Sequence, residues 1–229
     1  MYPFLFDPTM IIIIPALLLA FYAQYKVKNT FKHYNEVKIK SNLTGAEAAR
    51  EILKRNNLGN ININQVEGNL SDHYDPKKKV LNLSSDVYSN NTISAVGVAA
   101  HEVGHAVQDK EDYKPLSLRA SLVPAANIGS SFGLPLAIFG FFIRDNFLIM
   151  ILFLLFSVDF LFHLVTLPVE FNASNRAISN LKSANILTEK ELEGAKKVLK
   201  AAAFTYVATT LVALANLLRI LLLAGLGDD

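Results

Sequence analysis

The chain has 229 residues, enough for one domain with a sizeable core. Its hydrophobic fraction of 52% and mean hydropathy of +0.30 are high for a soluble globular protein, while a net charge of +2 and no basic patch interleaved with aromatics exclude a nucleic-acid reading. The absence of cysteine excludes disulfides and thiolate ligands, so any metal must be held by His, Asp or Glu.

Residues 1–9 carry no positive charge and no small-residue cleavage site follows the apolar run, so no cleaved signal peptide is expected. Met10 to Tyr25 is almost wholly apolar and ends at Lys26 and Lys28. Extended by Pro3 to Phe6, it approaches the ~20 residues a span needs, and it reads as a membrane anchor over residues 1–28. Residues 29–115 are polar and read as a water-facing α+β domain. Within it, Thr44 to Glu47 forms a capping-box pattern opening a helix that ends near Asn57 and Gly59. Asn60–Val66 and Lys79–Ser84 alternate apolar and polar residues as half-buried strands do, and the segment between them, Ser71–Pro76, reads as turn. Either strand is a candidate edge for pairing with an extended peptide. Thr92 caps a helix expected to run through about Lys110.

A transmembrane hairpin is expected over residues 116–168, its two apolar stretches separated by Arg144, Asp145 and Asn146. Pro124 and Pro135 fall inside the first stretch; Asp159 and His163, four apart, fall inside the second and read as a hydrogen-bonded pair facing the protein interior. Residues 169–200 hold an amphipathic run with a second capping pattern at Thr188 to Glu191, and residues 201–229 read as a C-terminal span. Four spans alternate consistently. Lys and Arg concentrate beside residues 26–120 and 170–200, which predicts that these parts face the cytoplasm.

The polar domain carries His101-Glu102-Val103-Gly104-His105. Histidines four apart on a helix share one face, so two neutral imidazoles at that spacing can bind one Zn²⁺. Glu102 then stands where its carboxylate can act as general base toward a water on the metal. Small apolar neighbours on both sides suit a helix packed in a core, and Gly104 in the helix interior predicts a close approach by another element. Catalytic zinc needs a third protein ligand. No histidine follows closely, because residues 108–113 offer none. Glu170, at the end of the third apolar run, is either that ligand or a helix-start carboxylate behind Pro168.

The capping-box helix, Asp72–Pro76 (DHYDP), Ala99–Gln108 (AAHEVGHAVQ) and Leu167–Ala177 (LPVEFNASNRA) together resemble the YugP-like neutral zinc metallopeptidases of bacterial membranes, over about Thr44 to Ala208. The resemblance implies a gluzincin-type site with Glu170 as third ligand beside His101 and His105. The site also resembles those of the HtpX-like and CAAX-prenyl membrane proteases. Those carry an acid four residues after the third ligand to orient a metal-binding histidine. Here Ser174 holds that place, and Asn172 stands where this family is expected to carry an acid.

Donors for a tetrahedral oxyanion are sought among His73, Tyr74, Arg176 and Tyr206. His73 is equally a turn histidine bonded to Asp72 or Asp75, Arg176 an arginine paired with a local acid, and His33 a solvated surface residue. The sequence thus predicts a mainly α membrane protein with about four transmembrane helices and a small zincin-like domain. It would carry one Zn²⁺ per chain, meet the lipid bilayer, and hydrolyse a peptide or membrane-protein substrate. The rival readings are a non-catalytic zinc-stabilised scaffold or assembly factor, and an intramembrane protease of the site-2 type. The polar residues Asp86, Asn90, Asn91, Asp109 and Lys110 flanking the motif helix count against the latter.

Overall fold

A computed structural model describes residues 8–68, 71–143 and 146–225. The described residues form, in order, α1 (Met10–Asn35), α2 (Gly45–Arg55), β1 (Asn62–Val66), β2 (His73–Asp75), β3 (Val80–Ser84), α3 (Ser85–Ser89), α4 (Ile93–Lys110), α5 (Lys114–Ile143), α6 (Asn146–Ser183) and α7 (Glu189–Gly225). Residues 1–7, the polar break at Arg144 and Asp145, and residues 226–229, on which the expected outer side of the topology rests, lie outside the described residues. The chain divides into two compact units, one of Tyr25–Leu116 with Val169–Phe204, the other of Met1–Gln24, Ser117–Pro168 and Thr205–Asp229.

The first unit is built around α4. Thirteen of its eighteen residues are buried, most of them small. Such a helix has no polar face to offer water, so it must be enclosed. Ile52 and Leu53 of α2, Leu81 and Leu83 of β3, Leu181 of α6 and Leu192 and Leu199 of α7 share its core. Each helix start is fixed locally. The Thr44 hydroxyl accepts from the Glu47 N–H while the Glu47 carboxylate accepts from the Thr44 N–H at 2.8 Å, a reciprocal cap on α2. Thr92 accepts from the Ala95 N–H at 3.3 Å at the head of α4. Thr188 and Glu191 repeat the reciprocal pattern before α7, and Glu191 also accepts from the Lys40 N–H at 2.8 Å.

The sheet is mixed, in the order β1-β3-β2, with β1 parallel and β2 antiparallel to β3. This corrects two expectations. Lys79–Ser84 supplies the central strand, paired on both sides, so it offers no free edge. The second edge is β2, inside the segment read as turn. Three residues are too few to show a strand period in sequence, and β2 is held by its partner rather than by its own pattern. Asp72 anchors its start, accepting from the Ser84 N–H at 2.7 Å and from the Ser84 hydroxyl at 3.0 Å.

The second unit is apolar helix. Three helices among the described residues are long and apolar enough to cross a membrane: Met10–Asn35, Phe147–Ser183 and Glu189–Leu223. Large apolar side chains stand exposed along them, including Ile11, Leu18 and Phe21 on α1, Phe147 and Leu154 on α6, and Leu218 and Leu222 on α7. A surface of that kind is stable against lipid and not against water. Three ionisable residues within these helices have partners: Arg219 is buried and donates to the Thr9 hydroxyl at 3.1 Å, and His163 stands 3.6 Å from Asp159. The second apolar stretch folds as α5, which continues through Pro124 and Pro135.

Pro168 also lies inside a helix, because α6 runs unbroken past it. Glu170 is therefore not a helix-start carboxylate, and its position has another cause.

Candidate metal centre

His101 and His105 project from the same face of α4, their ring centroids 4.8 Å apart and nearly perpendicular. Glu170 reaches them from α6. Its Oε2 lies 3.3 Å from His101 Nε2 and 3.8 Å from His105 Nε2, and one donor atom from each of the three lies within 4.8 Å of the others. Glu170 is only 2% exposed. A carboxylate so deeply buried is costly without a cation or proton to share. Two imidazoles and a carboxylate converging at this separation are a donor set that fits Zn²⁺, with three protein ligands.

Helices α4 and α6 come this close because of Gly104. A Cβ there would stand 2.6 Å from the carbonyl oxygen of Ala173. Backbone meets backbone at that point, so nothing flexible could yield to a larger residue. The element whose approach Gly104 predicted is therefore the helix that carries Glu170.

Both imidazoles are held by their far nitrogens. His101 Nδ1 lies 3.1 Å from the Ser174 hydroxyl, and His105 Nδ1 lies 3.0 Å from Gln108 Oε1. The second contact has a fixed direction. Arg176 Nε donates to Asn172 Oδ1 at 2.7 Å, and a guanidinium cannot accept. Gln108 Nε2 donates to the same Asn172 oxygen at 2.9 Å and to the Val169 carbonyl at 2.8 Å. That leaves Gln108 only its oxygen for His105, so His105 Nδ1 is the donor. Its Nε2 then keeps its lone pair toward Glu170. Arg176 is itself fixed by Glu111 at 2.6 Å, which accounts for its guanidinium outside the His-His-Glu cluster.

Glu102 is buried on α4, where its Oε2 accepts from the Tyr74 N–H at 3.1 Å. Tyr74 sits in mid-strand on β2, opposite Leu81, with its N–H on the edge that β3 leaves free. Burial pushes the Glu102 carboxyl up to about 7; Glu170 and Asp72 push the same way, while His101 and the Tyr74 N–H oppose them. Tyr74 is anchored at its other end, donating its hydroxyl to Asp109 at 2.7 Å, and Lys79 pairs with the same carboxylate. Burial and this acceptor raise the phenol above its ordinary value, so it stays protonated as the donor.

The structure therefore brings together His101, His105 and Glu170, sets Glu102 beside them, and places Ser174 and Asn172 behind the imidazoles. It does not bring the His73 ring to the cluster. His73 is exposed, with Nδ1 on the Ser71 carbonyl at 2.8 Å and Nε2 on the Asn82 amide at 3.0 Å. Tyr206 belongs to the apolar unit. Sequence reasoning passed over Gln108 and the Tyr74 N–H. Gln108 carried a signal: an uncharged amide three residues after His105, in a helix otherwise lined with small apolar residues.

A family model described as "Putative neutral zinc metallopeptidase" matches residues 9–225. The chain is also 45% identical over 216 residues to a protein of Bacillus subtilis (strain 168) named "Putative membrane protease YugP", covering 94% of this chain and 96% of that protein. No solved structure matches.

Proposed function

Because the chain belongs to this neutral zinc metallopeptidase family, we propose that it is a membrane-anchored zinc endopeptidase whose ligands are His101, His105 and Glu170 and whose general base is Glu102. The observation that carries the reading is the placement of Glu102. It is a buried carboxylate beside a cluster of three donors, held by a backbone N–H. Among the described residues the cluster holds three ligands, one fewer than a closed structural site requires, which favours the enzyme over a zinc-stabilised scaffold. Zinc bound there would supply a Lewis acid that acidifies water and polarises a carbonyl.

The residues divide the remaining work. Glu102 takes the proton of the attacking water and returns it to the leaving amine. A pKa raised by burial suits both halves of that task, and a dication alongside would draw it lower. The Tyr74 N–H keeps the carboxylate oriented. The outer edge of β2 borders Glu102, whose carboxylate already takes the Tyr74 N–H, so an extended peptide would run alongside β2 at that point. This favours His73–Asp75 for substrate contact over β1, the other edge of the sheet and one of the two edge candidates in the sequence. Four spans, with the second supplied by α5, would set the peptidase unit at the cytoplasmic face, as the distribution of Lys and Arg predicts.

The test is Glu102→Gln. The amide is nearly isosteric and leaves the three ligands in place. The purified variant is expected to retain one zinc per chain and to lose peptide hydrolysis by roughly 10²–10⁴-fold. Full activity in zinc-loaded variant would remove Glu102 from the mechanism, and proteomes of cells carrying wild type or variant would identify substrates.

A further inference from the structure

A cleft of about 460 Å³ lies away from the metal centre, between α1 and α7. Lys26, His33, Lys197 and Lys200 line it, with Asn29 and Thr30 as uncharged polar neighbours. No acid is among its lining residues. Glu193, one turn from Lys197, is engaged by Lys196 at 2.5 Å and feels Lys197 and Lys200 only through their charge.

The cleft's place along the two helices gives it meaning. Lys26 is the first charged residue after the apolar run of α1, and Lys200 is the last before the apolar run of α7. The helices pack directly here: the Lys26 ammonium stands 5.3 Å over the Phe204 ring, one turn into that run. At the other end Gly194 lets α7 close on Tyr34, where a Cβ would meet the Tyr34 ring at 2.8 Å. The result is a basic concavity at the level where two membrane-length helices turn from apolar to charged.

We propose that this cleft binds the phosphate headgroup of an anionic glycerophospholipid. The lysine ammonium groups neutralise the phosphate, and Thr30 and Asn29 offer hydrogen bonds to it and to the glycerol. The acyl chains follow the apolar runs of α1 and α7. The volume falls within the range of small-ligand sites. A zwitterionic choline headgroup brings its own cation to a site already crowded with positive charge and is rejected.

Full-length protein in neutral detergent would be incubated with phosphatidylglycerol or phosphatidylcholine and examined by native mass spectrometry. Wild type is expected to retain phosphatidylglycerol and not phosphatidylcholine. Lys197→Gln should weaken retention about fivefold, and Lys26→Gln/Lys197→Gln/Lys200→Gln on the order of a hundredfold. Arginine at the same three positions should preserve it, which separates lost charge from lost fold. Millimolar inorganic phosphate should leave the lipid bound. Equal retention of the two lipids, undiminished binding by the glutamine variants, or displacement by inorganic phosphate alone would each overturn the proposal.

Discussion

Helices α4 and α6 meet at Gly104 and Ala173 and share the metal-binding side chains, but they hold them on different terms. Helix α4 is enclosed by its own unit's core, and its two histidines and one glutamate occupy five consecutive positions. Their mutual geometry follows from one turn of helix. Helix α6 brings Glu170 from 65 residues beyond His105, together with Ser174 and Asn172, on alternate positions of a single turn and a half. The α4 set is thus fixed by local structure, whereas the α6 set depends on how closely two backbones approach. The comparison extends to the imidazoles. His105 is oriented by an amide whose direction is dictated through Asn172 and Arg176, while His101 is oriented by a hydroxyl that can donate or accept.

The largest expected effect comes from removing what α6 contributes directly. Glu170→Ala should lower zinc affinity by more than the ten- to hundredfold typical of an outer partner, since it deletes one of the three proposed ligands itself. Titration of apo protein with zinc against a chelator measures it. Affinity within a few-fold of wild type would mean that α4 holds the metal without α6, and the contrast between the helices would collapse.

How much of this was legible in the sequence follows the same division. The reciprocal cap at Thr44, the Thr92 cap and the span of α4 are local, and local chemistry displays them. Gly104 announced a neighbour but could not name it. Glu170 was placed by resemblance, because no periodicity connects residues 69 positions apart. Strand β2 was hidden by its length. Asn172 was expected in a role suited to an acid. The structure shows why an amide serves there: its single oxygen accepts from both Arg176 and Gln108, and so imposes a direction on the whole chain. Arg176, read either as an oxyanion donor or as an arginine paired with a local acid, is held between Asn172 and Glu111, in keeping with the second alternative.

The middle effect tests that chain. Gln108→Leu keeps the volume of a fully buried side chain but removes the acceptor for His105 and two donors. Zinc affinity should fall ten- to hundredfold, the usual cost of losing an outer partner. Stability should fall by about 1–3 kcal/mol as the buried hydrogen bonds from Gln108 to the Val169 carbonyl and the Asn172 oxygen are lost. Gln108→Glu separates the two consequences. A carboxylate still accepts from His105 but cannot donate to Val169 or Asn172, so it should recover zinc binding only at the cost of a lower Tm. Recovery of both by Glu would show that the direction of the chain is not imposed by Asn172.

The smallest effect belongs to Ser174. Ser174→Ala removes the hydroxyl from His101 Nδ1, but the His101 side chain is 12% exposed, so water can take the vacated place. The hydroxyl also lacks a fixed direction, so its loss frees less order than the loss of Gln108. The expected drop in zinc affinity is under about tenfold, at the bottom of the range for outer partners. Measured beside Gln108→Leu by the same competition, it ranks the two imidazole supports. A drop from Ser174→Ala equal to or larger than that from Gln108→Leu would mean that the approach of α6 at the His101 side, rather than the amide chain at the His105 side, governs the centre.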